Sequence, residues 1–464
     1  MGLTKSMELG KRYFGDKVFA TILGYLKKDP YKNLEKVLDL VEKVAVAPNH
    51  KEYAKRIKVH LNENQITKQY INRVIKELDE NVHNHLLNNF FVNGSLIGVP
   101  KQTQLSEKYG FNIPYTILID PTSKCNLSCK GCWAGAYEKH HSLSFEEVDR
   151  IVAESKELGM YFMVMSGGEP MMWPHLEQLC RKHYDVAFMI YTNGTMINQE
   201  AARWMREAGN ISPAISIEGD RETTDRRRGK GVYDQIMTAM KNLKEKGVAF
   251  GFSITVTSEN AEEAFSDEFI DLMIDKGALY GWSFHYIPVG SNPDFSLMVK
   301  PEQRAALVDR VRCVRSSKPI LIADFWNDGE FSGGCIAGGR RFFHITASGD
   351  VEPCAFVHFT IDNIKGKPLK EVLANPLFKA YRDRQPFSEN MLRPCPLIDT
   401  PEQLREMVRE TGARPSHEGA ESILDYQVAA KLDAAAATWK EEADQKWAEK
   451  NKHELVEEKQ EAWV

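Results

Sequence analysis

The chain has 464 residues, more than a single domain usually holds, so we expect two or three folded units. Hydrophobic residues make up 42% of the sequence and charged residues 27%, which is typical of a globular protein and excludes a fibrous or disordered one. The formal net charge of −5 provides no general attraction to nucleic acid, so no nucleic-acid partner is predicted.

The first residues, MGLTKSMELGKRYF, lack the apolar core and the small-residue cleavage site of a signal peptide. No apolar run reaches the length of about 18 residues that a membrane-spanning helix needs. We therefore expect a cytoplasmic protein whose eight cysteines stay reduced. Clustered cysteines in that compartment bind metal or do chemistry more often than they form disulfides.

The N-terminal region, residues 1–110, carries apolar residues at three- and four-residue spacing, which predicts helices. In the first helix Phe14, Val18 and Ile22 share one face, and several lysines lie nearby. Such a basic amphipathic helix can lie on an anionic membrane surface, or it can pack on its own domain with its lysines in solvent. Both interpretations stay open, and the region is a candidate for membrane contact or substrate binding.

Short apolar runs alternate with amphipathic helical stretches over residues 111–318. Six strands separated by helices predict parallel β–α units with right-handed crossovers. Six units are fewer than the eight of a closed barrel. We therefore expect an α/β fold with a partial (β/α)6 barrel, whose chemistry lies at the C-terminal ends of the strands.

The pattern changes twice more towards the C-terminus. Over residues 319–400, the sequences ILIADFW and RFFHITASGDVEPC predict short antiparallel strands in a small α+β domain, with a hairpin at the SGD turn. Residues 401–464 are rich in alanine and charge, which predicts a helical tail.

Three cysteines, Cys125, Cys129 and Cys132, follow the first predicted strand within eight positions. Zinc usually takes four ligands in two short pairs. Here Cys129 and Cys132 have a pair spacing, but no second pair lies nearby and the gap after Cys125 is three residues. Three thiolates suit a [4Fe–4S] cluster with one iron left open, because such clusters are held by cysteine. The alternative is a zinc site of these cysteines completed by His140 or His141.

The spacing in CNLSCKGC resembles the C-x3-C-x2-C signature of the radical S-adenosylmethionine (radical SAM) superfamily, and further motifs follow in that family's order over about residues 114–290. SGGEP resembles the family's GGEP motif, which binds the methionyl amino group of SAM. TNG, SIEG and RRRG resemble elements that contact the SAM ribose and carboxylate. By this resemblance the catalytic cluster ligands are Cys125, Cys129 and Cys132, and the SAM-binding residues are Gly167, Gly168, Glu169, Pro170, Thr192, Asn193, Ser216, Glu218, Arg228, Val256 and Ile287.

The chemistry of these residues agrees with the resemblance. Glycines let the backbone approach a ligand closely, and Glu169 adds negative charge for the amino group. Arg228 offers a planar fork for the carboxylate, with Arg227 as the fallback. By the resemblance, Val256 and Ile287 fall where family members pack the adenine. The resemblance implies reductive cleavage of SAM to methionine and a 5′-deoxyadenosyl radical, which abstracts a substrate hydrogen. It also implies an oxygen-sensitive cluster and a low-potential ferredoxin or flavodoxin as electron donor.

Three later cysteines predict a second site. Cys335 and Cys354, with a glycine turn between them, resemble the opening of the SPASM and twitch extensions, which carry auxiliary iron–sulfur clusters. Cys395 is a natural third ligand, and the dense run of four cysteines found in full SPASM domains is absent. We therefore expect one auxiliary cluster, of the [4Fe–4S] type, whose fourth ligand is another side chain or the substrate. A zinc or structural role is the alternative. Cys180 and Cys313 lie in helical patterns and are predicted core thiols.

The sequence constrains the substrate least. The aromatic-rich N-terminal region and its basic first helix lead us to predict a lipid or another long apolar substrate, which undergoes oxidation or C–C bond formation. The second cluster would assist electron transfer or substrate binding. The alternatives are a dehydrogenase that acts on a peptide, a protein or a small metabolite and, more remotely, a non-catalytic electron carrier. The carrier is disfavoured because it needs no SAM pocket.

Overall fold

The computed structural model describes residues 64–290 and 293–461. The predicted first amphipathic helix, with Phe14, Val18 and Ile22, lies outside these residues. The described part of the N-terminal region is helical, as predicted. It comprises α1 (Gln65–Glu77), α2 (Glu80–Leu87), a π-helical segment (Asn88–Gly98) and α3 (Val99–Tyr109).

Six parallel strands alternate with helices, as the sequence predicts. The strands are β1 (Thr116–Ile119), β2 (Phe162–Met165), β3 (Ala187–Thr192), β4 (Ile211–Ser216), β5 (Gly251–Val256) and β6 (Tyr280–His285). The intervening helices are α4 (Phe145–Glu157), α5 (Leu176–Lys182), α6 (Gln199–Ala208), α7 (Arg221–Arg228), α8 (Val232–Lys246) and α9 (Asp267–Lys276), and a 3-10 turn (Pro170–Met172) follows β2. Local sequence sets the helix boundaries. Ser144, for example, caps α4 in a capping box with Glu147.

The sheet is larger than predicted, because it continues past both ends of the six-strand run. After a 3-10 turn (Phe295–Leu297) and the helix α10 (Pro301–Ser317), β7 (Leu321–Asp324) pairs with β6 in parallel, whereas we predicted an antiparallel strand. The reason is the 17-residue helix α10, which carries the chain back to the edge of the sheet where the parallel strands begin. The strand β7 therefore runs in the same direction as β6.

The predicted hairpin joins the opposite edge of the sheet, beside β1. The strand β8 (His344–Ile345) pairs with β1 in parallel, and β9 (Asp350–Glu352) pairs with β8 antiparallel, which confirms the hairpin at the SGD turn. With β11 (Asp362–Asn363) added, the sheet has ten strands in the order β11-β9-β8-β1-β2-β3-β4-β5-β6-β7. The partial barrel therefore carries the start of the second domain on its own first strand.

Small elements complete the C-terminal part. These are α11 (Gly329–Ser332), β10 (Phe359–Thr360), α12 (Leu369–Leu373), α13 (Pro376–Arg384), α14 (Pro401–Thr411), β12 (Arg414–Pro415), a 3-10 turn (Ala420–Leu424) and the long helix α15 (Tyr426–Glu461). Trp439 on α15 packs over the Arg304 guanidinium at 4.3 Å, and Arg304 pairs with the buried Asp399 at 2.6 Å. This contact fixes the tail helix beside α10. Among the described residues, no helix has the length and apolarity needed to cross a bilayer.

Strand alternation divides the buried side chains into two layers. Residues such as Ile119, Met165 and Val256 face the surrounding helices and form the larger core cluster. Residues such as Leu118 and Val164 point to the opposite, concave side. The concave side is where the functional site lies.

Candidate functional site

The concave face of the sheet encloses a cavity of about 780 Å³. Its middle is lined mainly by apolar and aromatic side chains from the strands, including Phe162, Met189, Tyr191 and Phe284. The cavity combines an apolar body with polar groups at its ends, as ligand sites do.

The cysteine loop forms one end of this cavity. Cys125, Cys129 and Cys132 all line it and are all partly buried. The loop that carries them is held by backbone hydrogen bonds, for example from Glu169 N to the Lys124 carbonyl at 2.8 Å. The three cysteines therefore converge after β1, where the chemistry was predicted.

The donor geometry distinguishes a cluster from a single ion. A zinc ion bound at about 2.3 Å to each sulfur would hold its sulfurs less than about 4 Å apart. In the part of the chain that the structure describes, the only three metal-ligating groups within 4.8 Å of one another are Glu138, His140 and His141. Neither cysteine trio is that close. Wider spacing fits a polynuclear cluster, and the two histidines contact Glu138 instead of completing a cysteine site.

Positive charge lies beside the cysteine loop. Arg228 Nη1 is 4.0 Å from Cys129 Sγ. Burial raises the pKa of Cys129, while Arg228 and Arg227 oppose this rise. Burial also raises the pKa of Cys125. Because cluster ligands are thiolates, a nearby guanidinium favours the bound form.

Glu218 holds these arginines in place. Its Oε1 lies 2.5 Å from Arg228 Nη2 and 2.6 Å from Arg227 Nη1, and its Oε2 accepts a hydrogen bond from the backbone N–H of Thr255 at 3.2 Å. Burial disfavours the charged form of Glu218, but the two arginines stabilise that form and hold the pKa of Glu218 below its usual value. The carboxylate does not line the cavity, and both of its oxygens have partners within the protein. Its predicted contact with the SAM ribose or carboxylate stays a prediction.

The SGGEP turn touches the cysteine loop directly. An added Cβ on Gly167, whose φ is +106°, would lie 2.4 Å from the Thr122 carbonyl, and one on Gly168 would lie 2.1 Å from the Lys124 carbonyl. Glycine is therefore required there for close approach of two backbones. Both glycines line the cavity.

The next two residues of the motif, Glu169 and Pro170, are buried in the protein. The Glu169 carboxylate accepts hydrogen bonds from Thr192 Oγ1 at 2.7 Å, from Asn193 N at 2.7 Å and from Met171 N at 3.0 Å. Burial raises its pKa. Neither Glu169 nor Pro170 lines the cavity, and their predicted contact with SAM stays a prediction. Glu169 fastens the end of β2 to the end of β3.

The remaining predicted SAM-binding residues also divide into those that line the cavity and those that do not. The cavity is lined by Thr192, Asn193, Ser216, Arg228 and Ile287 but not by Val256, which lies in the core on the helix side of β5. Sequence reasoning missed Ser253 and Thr255, which line the cavity from the same strand. Their signal was present in FGFSITVTS, where polar residues alternate with apolar ones.

The second cysteine trio lines an adjacent cavity of about 210 Å³. Cys335, Cys354 and Cys395 come from three separate segments, and Cys354 lines both cavities. Burial raises the pKa of Cys335 to about 11 and that of Cys395 to about 12, so each is a thiol unless a metal binds. Three buried thiols around one cavity fit a cluster that displaces their protons.

The two other cysteines differ from each other. Cys180 is buried on α5, as predicted. Cys313 is exposed, contrary to prediction, because the buried face of α10 carries Val311 and Val314 and turns residue 313 outward.

A buried polar network joins the two cysteine sites, and sequence reasoning missed it. His344 Nε2 lies 2.9 Å from Asp120 Oδ2, and His344 Nδ1 lies 2.7 Å from Glu352 Oε2, which also accepts from the Tyr137 hydroxyl at 3.1 Å. Burial opposes the charge of His344, but the two carboxylates outweigh it and raise the pKa of His344 to about 10. The imidazolium therefore bridges β1 to β9.

Sequence comparison identifies two domains. A profile of the radical SAM superfamily matches residues 119–269, and a profile of the SPASM iron–sulfur cluster-binding domain matches residues 335–396. These ranges contain the first and the second cysteine trio, respectively. The described geometry and the two matches thus agree on which cysteines belong together.

Several curated proteins are similar to the chain. The Fe-coproporphyrin III synthase of Methanosarcina barkeri is 29% identical over 223 residues, which cover 45% of this chain and only 55% of that protein. The AdoMet-dependent heme synthase of Oleidesulfovibrio alaskensis is 28% identical over 299 residues, 57% of this chain and 76% of that protein. The mycofactocin maturase MftC of Mycolicibacterium smegmatis is 28% identical over 278 residues, 56% of this chain and 68% of that protein.

Among solved structures, Streptococcus suis SuiB bound to the precursor peptide SuiA has a similar fold. Its TM-score is 0.53 at 18% sequence identity, and the match covers 64% of this chain and 74% of SuiB. At this identity the likeness concerns the fold alone.

Proposed function

We propose that the chain is a radical SAM enzyme with a SPASM-type iron–sulfur domain, and that it removes a hydrogen atom from a C–H bond of a large, mainly apolar substrate held in the barrel cavity. The observation that carries this proposal is the cavity itself. It runs from Cys125, Cys129 and Cys132 to Cys354, and aromatic side chains line its middle. A substrate bound there contacts the surroundings of both cysteine trios.

The chain's own residues bind and orient SAM at the cysteine end. When bound, the reduced cluster supplies the electron that cleaves SAM to methionine and a 5′-deoxyadenosyl radical. Gly167 and Gly168 let their backbone approach the methionyl group, and Arg228 offers its guanidinium to the carboxylate. Ser216 and Ser253, whose Oγ atoms lie 3.1 Å apart, are placed for the ribose hydroxyls. In this proposal Glu169 and Glu218 position these groups.

The lining favours an apolar substrate with an anionic end. Trp282 and Phe284 stack at 5.9 Å with an interplanar angle of 10°, and Phe325 lies 5.3 Å from Phe284. The exposed Arg341 also lines the cavity, where it suits a phosphate or carboxylate. A lipid has both features. The relatives are named as synthases of an iron porphyrin and of heme and as a mycofactocin maturase. Porphyrins and peptides are therefore the alternative substrate classes that an experiment must separate.

Deuterium transfer tests the substrate class. Anaerobically reconstituted protein is incubated with SAM, dithionite and a perdeuterated lipid extract, and 5′-deoxyadenosine is analysed by mass spectrometry. Deuterium in 5′-deoxyadenosine is the expected result. Transfer from a labelled peptide or porphyrin, with none from lipid, would replace the lipid by that class. Failure to form any 5′-deoxyadenosine would contradict the chemistry itself.

A matched pair of variants tests the cavity. Phe284→Ala removes an aromatic ring from the wall of the cavity and enlarges the cavity. We therefore expect reduced deuterium transfer from the lipid, while SAM cleavage in the absence of substrate persists. Phe331→Ala is the control, since that ring is 72% exposed on α11. Equal transfer by both variants would place the substrate elsewhere.

Two further parts of the proposal concern partners. A low-potential ferredoxin or flavodoxin would supply the electron, and the auxiliary cluster would accept or return one during oxidation or C–C bond formation. Peripheral membrane contact through the first amphipathic helix would give access to lipid. Among the cysteines, only one trio remains for an auxiliary site, which supports a single auxiliary cluster.

A further inference from the structure

The auxiliary cavity holds one hydroxyl group that the protein does not satisfy. Tyr381 on α13 is fully buried and lines this cavity together with Cys335, Cys354 and Cys395. Its hydroxyl has no hydrogen-bond partner within the described part of the chain. An unpaired buried hydroxyl is destabilising, so its presence beside three thiols needs an explanation.

The fold brings the Tyr381 ring against both cysteine loops. Gly338, three residues after Cys335, has a φ of +65°, and an added Cβ there would lie 2.4 Å from Tyr381 Cβ. The N–H of Gly338 donates to the carbonyl of Pro353, next to Cys354, at 3.0 Å. Phe387 packs edge-on to the ring at 5.5 Å. Backbone and ring contacts thus fix the direction of the hydroxyl.

The hydroxyl of Tyr381 shares its cavity with the sulfurs of Cys335, Cys354 and Cys395. A phenol keeps its proton at neutral pH, so the hydroxyl is available as a hydrogen-bond donor.

Asp324 lines the same cavity with one unpaired oxygen, but it lies in other surroundings. Its charged neighbours are Asp328, Arg304 and Arg315. Its second oxygen accepts from Asn327 Nδ2 at 2.7 Å. Tyr381 is therefore an unpaired hydroxyl donor in the cavity of the three sulfurs, whereas Asp324 offers an acceptor; the indole N–H of Trp326, also in this lining, is a second donor without a partner among the described residues.

We propose that the Tyr381 hydroxyl donates a hydrogen bond to a sulfur of the auxiliary cluster and thereby raises the reduction potential of that cluster. Donors to cluster sulfurs stabilise the reduced form, because that form carries more negative charge. The inference rests on the proposed role of the auxiliary cluster as a redox partner of the substrate. A higher potential favours uptake of an electron from a substrate radical.

The test isolates the auxiliary cluster within the full chain. The substitutions Cys125→Ala, Cys129→Ala and Cys132→Ala remove the first cluster site, and Tyr381→Phe is added to this background. The matched control is Tyr184→Phe, since Tyr184 is 62% exposed. Iron content, the midpoint potential from an EPR-monitored redox titration, and the coupling to an exchangeable proton are measured for each protein.

We expect Tyr381→Phe to keep its iron and to lose the exchangeable-proton coupling. At a fixed potential its ratio of reduced to oxidised cluster should fall about tenfold, which is about 59 mV for a one-electron couple. An unchanged potential would overturn the inference. Loss of iron in Tyr381→Phe would also overturn it, by making the residue a ligand or a scaffold. Absence of iron from the parent background would instead contradict the auxiliary cluster itself.

Discussion

Substitution of Gly168 by alanine tests the contact that joins the SGGEP turn to the cysteine loop. The added Cβ would lie 2.1 Å from the Lys124 carbonyl oxygen and 2.5 Å from that of Ser123, whereas real Cβ contacts are essentially never shorter than 3.0 Å. The obstacle is backbone, so no side chain can rotate away. The two segments must separate by roughly 1 Å, at a cost of about 1–3 kcal/mol for overpacking.

That separation also breaks the hydrogen bonds between the segments. Gly168 N donates to the Thr122 carbonyl at 3.0 Å, and Glu169 N donates to the Lys124 carbonyl at 2.8 Å. Each bond contributes about 0.5–1.5 kcal/mol. Because Cys125 follows directly, we expect Gly168→Ala to lose the first cluster and SAM cleavage while it keeps the auxiliary cluster.

Iron and sulfide content after anaerobic reconstitution, with EPR spectra of the reduced protein, measure this loss. Gly412→Ala is the matched control, since Gly412 has a φ of +65° and an added Cβ meets nothing within 4 Å. It should cost about 1–2 kcal/mol of folding stability through its left-handed backbone without any loss of iron. The reasoning is refuted if Gly168→Ala retains both clusters and cleaves SAM at the wild-type rate.

Three further predictions follow from the structure. His344→Gln should lower the free energy of unfolding by about 3–5 kcal/mol at pH 7, because two buried carboxylates lose their cation. This contribution is fully present below pH 6.5 and is lost as the pH rises through about 10, so urea denaturation should show a smaller difference above pH 10. Arg228→Lys should raise the Kd for SAM about tenfold in equilibrium dialysis, with Arg226→Lys unchanged, since Arg228 lines the cavity and Arg226 does not. Phe14→Glu should abolish flotation with anionic liposomes, and Phe331→Glu should not.

The sequence was most informative where periodicity and spacing act locally. Alternating apolar runs predicted the six parallel strands, and the spacing of Cys125, Cys129 and Cys132 predicted their convergence after β1. The sequence was less informative about the direction in which individual side chains point. Glu169 and Glu218 stand in motifs that suggest SAM contact, and their carboxylates also bind the backbone of other strands, at Asn193 and at Thr255. Local sequence carries no record of those partners.

Tertiary pairing explains the remaining differences. The two-residue strand β8 is too short to be recognised from alternation, and its parallel pairing with β1 depends on residues more than two hundred positions apart. The role inferred for Tyr381 likewise depends on three cysteines from three segments. Neither feature has a signal within a window of a dozen residues.

The attachment of β8 to β1 determines how the two cysteine trios face one substrate. The strand β1 leads into the Cys125 loop, and β9, the hairpin partner of β8, leads into Cys354. The spacing between the two sites is thus set by hydrogen-bonded strands instead of a flexible linker, and the His344 ion pairs fix that register. Since Cys354 also lines the main cavity, a substrate held there lies against the walls of both sites. In the proposed function, hydrogen abstraction at one end and electron transfer at the other would then need no domain movement.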